Sequence, residues 1–277
     1  MTLSERSILI TGCSSGIGYH CAQALRERGW LVFAACRAQS DCDRLIAEGF
    51  ESPRIDYTDP GSIEAGLKSV LQATGGTLDA LFNNGAYACP GAVEDIPTGA
   101  LREIFETNVF GWHDLTRQVI PVMRAQGHGR IVQNSSVLGY TPFHWRGAYT
   151  ATKYALEGLS RTMQLELSGT GIQMVLIQPG SITSKFRENS IPHFERWIDW
   201  EHSARADDYR TALDRLYKPG PKDRFELGPE AVFKVLLKAL EHRNPRPSYR
   251  VTTPAKLIRW AWRLLPERLV IRYLTRL

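Results

Sequence analysis

The sequence predicts an α/β fold, a doubly wound parallel sheet. Short apolar runs alternate with segments of helical periodicity, the first run leads straight into a glycine-rich turn, and the polar clusters sit where apolar runs end. Parallel strands joined by crossover helices place a ligand outside the strands' carboxyl ends, so those polar clusters are the first places to look for chemistry.

The elements follow in order. Residues 7 to 11, Ser-Ile-Leu-Ile-Thr, read as a strand, and a helix runs from Gly16 to about Arg28, where Gly29 stops it. Residues 30 to 36 make a second buried strand, 40 to 48 a helix, and 52 to 56 a third short strand. Thr58-Asp59-Pro60 caps the next helix, with proline in its first turn. Leu78 to Asn83, Gly129 to Ser135 and Ile172 to Gln178 are further strands, separated by a long helix around 101 to 126 and another over 149 to 168. No Pro/Gly/Ser-rich linker interrupts this rhythm before residue 180, so a single domain over 1–277 with C-terminal helical additions is expected.

Composition narrows the class. Residues 1–7 are short and polar and the apolar run after them is broken at once by Thr11 and Gly12, which does not make a secretion signal; a cytoplasmic address is expected. Five cysteines, an odd number with no CxxC pair, argue against a disulfide framework or a zinc cluster, and no metal is expected. From Arg243 onward nine Lys/Arg face one acidic residue, so the net charge of +5 belongs to the tail. With no basic stripe elsewhere and no recognised module, nucleic acid is not an expected partner.

The turn Thr11-Gly12-Cys13-Ser14-Ser15-Gly16-Ile17-Gly18 lies between the first strand and the first helix. Glycines there permit a tight turn and let backbone N–H groups approach a pyrophosphate at the positive end of the helix. Dinucleotide sites that favour NAD(H) place a carboxylate near the end of the second strand, but that region reads Ala35-Cys36-Arg37-Ala38. Arg37 suits a 2′-phosphate, with Ser14 or Ser15 adding a hydroxyl, so NADP(H) is the expected cofactor and NAD(H) the second choice. A merely solvated arginine at a strand end is the plainer alternative.

Tyr149 and Lys153 are four residues apart and therefore share a helical face. A hydride reaction at a carbonyl needs a proton donor beside the oxygen, and a phenol with a pKa of about 10 serves once a cation lowers it. Ser136, thirteen residues before Tyr149, is placed to hydrogen-bond the same oxygen. Alone, such a Tyr/Lys pair is as easily a packing residue beside a solvated lysine; its weight comes from co-occurrence.

Taken together, the turn at 11–18, Asn83-Asn84-Gly85-Ala86, Asn108-Val109-Phe110-Gly111, Asn134-Ser135-Ser136, Tyr149-Thr150-Ala151-Thr152-Lys153 and Pro179-Gly180 resemble the short-chain dehydrogenase/reductase family in order and spacing over about residues 5–186. The resemblance implies a Rossmann fold with that stretch as the cofactor-binding and catalytic core, about 187–227 as a substrate lid and about 228–277 as C-terminal helices. It implies Tyr149 as general acid/base, Lys153 lowering its pKa, Ser136 positioning the substrate oxygen, and Asn108 supporting a water-linked proton relay. It also implies cofactor contacts from Asp56 near the adenine, Asn83 and Gly85 at the adenosine ribose, and Pro179, Gly180, Ile182 and Ser184 around the nicotinamide, with homo-oligomeric assembly; Tyr149 and Lys153 are expected at the cofactor as well, Lys153 reaching its ribose hydroxyls. The chain departs from the family pattern in reading Gly85-Ala86 where Ala-Gly is usual, and in carrying Ser184 in place of a threonine.

The lid stretch is aromatic (Phe186, Phe194, Trp197, Trp200, Tyr209 and Tyr217), which fits either an apolar substrate such as an aldehyde, steroid or retinoid, or the lid's own packing core. Tyr140, Phe143, His144 and Trp145 are further candidates for the pocket wall, His144 as structure rather than catalyst. The tail interleaves Trp and Leu with Arg; packing over its own domain or a partner subunit is the favoured reading and peripheral membrane contact the second. A dinucleotide-binding redox sensor or scaffold without turnover is the alternative to an NADP(H)-dependent oxidoreductase acting on an apolar carbonyl or alcohol.

Overall fold

The computed structural model describes residues 6–218 and 224–276; the expected polar start at 1–5, the lid residues 219–223 and Leu277 lie outside that range. In chain order the elements are β1 (Ser7–Thr11), α1 (Gly16–Arg26), β2 (Leu31–Ala35), α2 (Gln39–Ala47), α3 (Pro60–Ala73), β3 (Ala80–Asn83), α4 (Thr98–Phe105), α5 (Gly111–Gln126), β4 (Gly129–Asn134), α6 (Gly147–Glu166), β5 (Ile172–Gln178), α7 (Ile191–Trp197), α8 (Ala206–Tyr217), α9 (Glu230–Glu241), β6 (Ser248–Arg250), α10 (Thr253–Leu264) and α11 (Glu267–Leu274). The strands form one parallel sheet in the order β2-β1-β3-β4-β5-β6. The order turns back at β1, and the crevice opens at the carboxyl ends of β1 and β3.

Burial on both faces explains the unbroken apolar strands. Alternate residues feed opposite layers. Ile8, Ile10, Val132 and Ile177 pack under α1 and α9, whereas Leu9, Leu81, Ile131 and Met174 pack under α3, α5 and α6. Asp59 caps α3 by accepting from the Ser62 N–H at 3.1 Å, with Pro60 in the first turn, and Gly29 closes α1 with φ of 76°.

Three expectations are corrected. Residues 52–56 do not form a strand: Glu51 and Arg54 each make a single bridge, to Phe33 and Cys36, because Pro53 between them has no N–H to donate. The long helix around 101–126 is instead α4, one π-helical turn at Glu106–Phe110, and α5. The C-terminal stretch adds a strand, β6, at the sheet edge beyond β5.

The start of α5 is pressed against the backbone of Tyr57: a Cβ on Gly111 would overlap Tyr57's Cβ and carbonyl oxygen. Gly111→Ala is therefore expected to destabilise the protein by about 1–3 kcal/mol through overpacking. A thermal melt that matches the parent would show that α5 can slide away from Tyr57.

Candidate active site

The turn after β1 is shaped for an anion. Gly12 and Gly16 have φ of 68° and 59°, a region where side chains are strained. Ser15, the N-cap of α1, makes no capping bond and the first turn holds no acid, so its N–H groups remain available to a phosphate. A Cβ on Gly12 would fall 2.5 Å from the Gly85 Cα. Gly85 thus stands where the chain after β3 passes closest to the turn, which accounts for glycine preceding Ala86. Ala86 instead packs into the apolar layer.

Most expected cofactor residues face one cleft of about 2170 Å³: Gly12, Ser14, Ser15, Gly16, Ile17, Arg37, Asp56, Gly85, Pro179, Gly180, Ile182 and Ser184. Gly18 and Asn83 do not. Gly18 lies behind the turn, where a Cβ would strike the Gly12 carbonyl oxygen. Asn83 is fully buried, accepting from Tyr57 Oη at 2.7 Å and donating to Thr116 Oγ1 at 3.0 Å. Because Asn83 shares a strand face with Leu81, it points into the α5 layer; that alternation was the available signal. The cleft-facing residue is Asn84, whose Nδ2 donates to the Thr11 carbonyl at 3.0 Å and whose Oδ1 accepts from Asn134 Nδ2 at 2.8 Å.

Arg37 is exposed on the cleft wall past β2, with Asp41 beside it on the same wall. Sequence reading missed Arg44, which donates to the Ser14 carbonyl at 2.8 Å and pairs with Asp41 at 3.6 Å and Glu48 at 2.7 Å. The carboxylate nearest the end of β2 is thereby turned toward a cation.

Ser136, Tyr149 and Lys153 meet beyond the end of β4. Ser136 has extended backbone and accepts from the Leu138 N–H at 3.1 Å, which fixes its hydroxyl at the cleft. Burial pushes the Tyr149 phenol's pKa well above its ordinary value, and the Ser136 hydroxyl pulls it back in part. Lys153 is 1% exposed, donates to the Asn134 carbonyl at 2.9 Å and lies 4.1 Å above the centre of the Trp112 ring. Burial lowers its pKa to about 7 against an upward pull from Glu157, one turn along α6. Glu157 is itself buried, accepting from Gln178 Nε2 and Arg161 at 2.7 Å each.

Asn108 stands in the π turn and not in the cleft wall. Its Nδ2 donates to the Tyr87 carbonyl at 2.8 Å and to Thr152 Oγ1 at 3.3 Å, and its Oδ1 accepts from the Tyr87 N–H at 3.2 Å. Its side chain is therefore committed to Tyr87 and Thr152.

The opposite wall mixes aromatic residues with charged ones such as Lys185, Arg187, Arg205 and Asp208. Phe186 packs edge-on against Tyr149 with ring centres 5.2 Å apart, and Phe143, His144 and Trp145 line the wall with Phe194 and Tyr209. Trp197 and Trp200 do not line the cleft; they pack within the lid cluster, so the aromatic stretch divides between substrate wall and lid core. Tyr140 turns away and donates to the Ala255 carbonyl at 2.6 Å. Among the described residues no cluster of side chains suits a metal ion.

Residues 6–193 match the short chain dehydrogenase family. The uncharacterized oxidoreductase YbbO of Escherichia coli strain K12 is 36% identical over 275 residues, covering 98% of this chain and 94% of its own. A 3-ketodihydrosphingosine reductase of Bacteroides thetaiotaomicron is 30% identical over 88% of this chain and 86% of its own. Among solved structures, a short-chain dehydrogenase from Streptomyces avermitilis superposes with a TM-score of 0.73 at 28% identity, covering 92% of this chain and 91% of that one.

The buried ammonium has a cost that pH exposes. The Lys153 pKa is lowered on folding, so between about pH 7 and pH 10 the unfolded chain holds a proton that the folded chain does not, and stability rises with pH across that window. Lys153→Met should therefore melt a few degrees above the parent near neutral pH and below, the gain shrinking toward about pH 10. A melting difference that is flat across that range would mean Lys153 keeps its ordinary pKa.

Proposed function

Because the chain belongs to the short chain dehydrogenase family, we propose that it is an NADP(H)-dependent oxidoreductase that reduces an aldehyde or ketone of a mostly apolar substrate, or oxidises the matching alcohol. The observation that carries this reading is the meeting of Ser136, Tyr149 and Lys153 at the strand ends, in the same cleft as the phosphate turn. The uncapped first turn of α1, the close pass of Gly12 by Gly85 and an Asn134 Oδ1 with no described partner suit a bound dinucleotide.

When bound, a nicotinamide dinucleotide supplies or accepts the hydride. Ser136 Oγ and Tyr149 Oη would hold the substrate oxygen between them. The burial that raises the Tyr149 pKa keeps the phenol protonated, and so able to donate its proton as the carbonyl carbon gains a hydride. The phenolate left behind would be stabilised by Lys153 in its protonated form, held under Tyr149 by the Asn134 carbonyl. In the direction of alcohol oxidation the same phenolate takes the hydroxyl proton. Asn108 would serve the relay through the main chain of its π turn.

Arg37 and the lack of any acid at Ala35-Cys36 favour NADP(H) over NAD(H), and Arg44 adds positive charge beside Ser14 while occupying Asp41. The five cysteines are all free and buried, in keeping with a cytoplasmic address. Exposed Leu159 and Leu165 on α6 offer a surface for the homo-oligomer expected of the family. The alternative of a binding-only protein is disfavoured by the intact Ser136, Tyr149 and Lys153 set.

Tyr149→Phe should lower turnover of an apolar aldehyde by about 100-fold or more while leaving dinucleotide affinity near the parent's. Turnover that survives the change would remove Tyr149 from the chemistry. Arg37→Asp should move the NADPH-to-NADH preference toward NADH by about tenfold or more, read from the two dissociation constants. An unchanged ratio would leave Arg37 as solvated surface.

A further inference from the structure

The tail closes the cleft and also presents an unusual outer surface. Thr252 caps α10, Trp262 Nε1 donates to Thr141 Oγ1 at 2.9 Å, and Ala255, Val270 and Leu274 are buried against the body. The outward side carries Leu257, Trp260 and Leu264 on α10 and Leu269 and Tyr273 on α11, exposed by 51% to 71%. Leu257, Leu269 and Tyr273 also line the cleft, so the outer apolar stripe runs without a break into the substrate wall. Beside it runs a basic stripe of exposed Lys256, Arg263, Arg268, Arg272 and Arg276, against one exposed acid, Glu267.

We propose that the outer face of α10 and α11 docks on an anionic lipid bilayer, lying in the plane of the interface with the mouth of the cleft turned to the lipid. An apolar helical stripe edged by cations is satisfied there on both counts, the leucines and Trp260 entering the acyl boundary and the arginines meeting headgroup phosphates. A second copy of the chain is a poor occupant. A two-fold interface sets the same surface against itself, and would bring five cations against five with only two glutamates between them. The face docks and does not span: no helix of the described residues is long and apolar enough to cross a membrane. That the docked face doubles as the substrate's entrance rests on the oxidoreductase reading above. The docking does not rest on it, and vesicle binding is read without turnover.

The test uses the full chain, sedimented with vesicles of phosphatidylcholine alone or with about one third phosphatidylserine, at low and at raised salt. Binding is expected on the anionic vesicles, weaker by about tenfold or more on phosphatidylcholine alone, and reduced by salt. Trp260→Ser with Leu264→Ser, and separately Arg263→Glu with Arg272→Glu, should each lower it by about tenfold or more. These side chains are exposed, so circular dichroism and the melting temperature should match the parent's. Independently, the part of the tryptophan emission that brominated lipid quenches should vanish in Trp260→Phe. No sedimentation with any vesicle, equal binding by the variants, or quenching that survives Trp260→Phe would overturn the proposal. So would self-association in lipid-free solution that Leu264→Arg abolishes while vesicle binding is missing, which would assign the face to a second copy.

Discussion

A line of hydrogen bonds joins the glycine-rich turn after β1 to Lys153, and the geometry of the site depends on it. Asn84 donates to the Thr11 carbonyl, Asn134 donates to Asn84, and Lys153 donates to the Asn134 carbonyl. The ends of β1, β3 and β4 are thereby locked in register, so the group that would hold the dinucleotide and the group that would tune the phenol cannot move independently. The line sits in a buried setting where each bond is strong and a missing partner costly. Beneath it, Thr11 Oγ1 donates to Tyr57 Oη and accepts from the Asn84 N–H, while Tyr57 donates to Asn83, which donates to Thr116 on α5. Asn83 is thus a brace for the cleft floor, a role that requires it to be hidden from any ligand.

What was legible in the sequence is what local periodicity dictates. Buried parallel strands read as unbroken apolar runs, the turn of β1 announces itself by its glycines, and a four-residue spacing puts Tyr149 and Lys153 on one face whatever surrounds them. What was not legible depends on contacts far apart in sequence. The π turn at Glu106–Phe110 exists where Asn108 reaches back to clamp Tyr87, 21 residues earlier. The strand at 248–250 is only three residues long between a proline-rich approach and the cap of α10, too short for any period to show. The 52–56 stretch has strand-like residues but carries Pro53, and the sequence alone does not say that its neighbour would need the missing donor.

The same distinction separates chemistry from specificity. Lys153 and Glu157 are ionisable groups held in a buried layer, an arrangement that folding disfavours and that Asn134, Trp112, Gln178 and Arg161 offset by direct contact. That supporting shell comes from β4, α5, α6 and β5, the rigid center of the sheet. The facing wall of the cleft comes from the loop at 143–145, the lid and the two terminal helices; Tyr209 and Ser203 tie the lid to Asp95 and Arg196 ties it to Glu103, while Tyr140 holds Ala255 and Trp262 holds Thr141 in the tail. α10 and α11 line the cleft from outside the elements that carry Ser136, Tyr149 and Lys153. Because the same short helices present leucine, tryptophan and arginine outward, whatever they touch outside the protein acts on the wall that meets the substrate. Ser136, Tyr149 and Lys153 are anchored to the sheet and α6, whereas the wall they face is anchored to the lid and the tail.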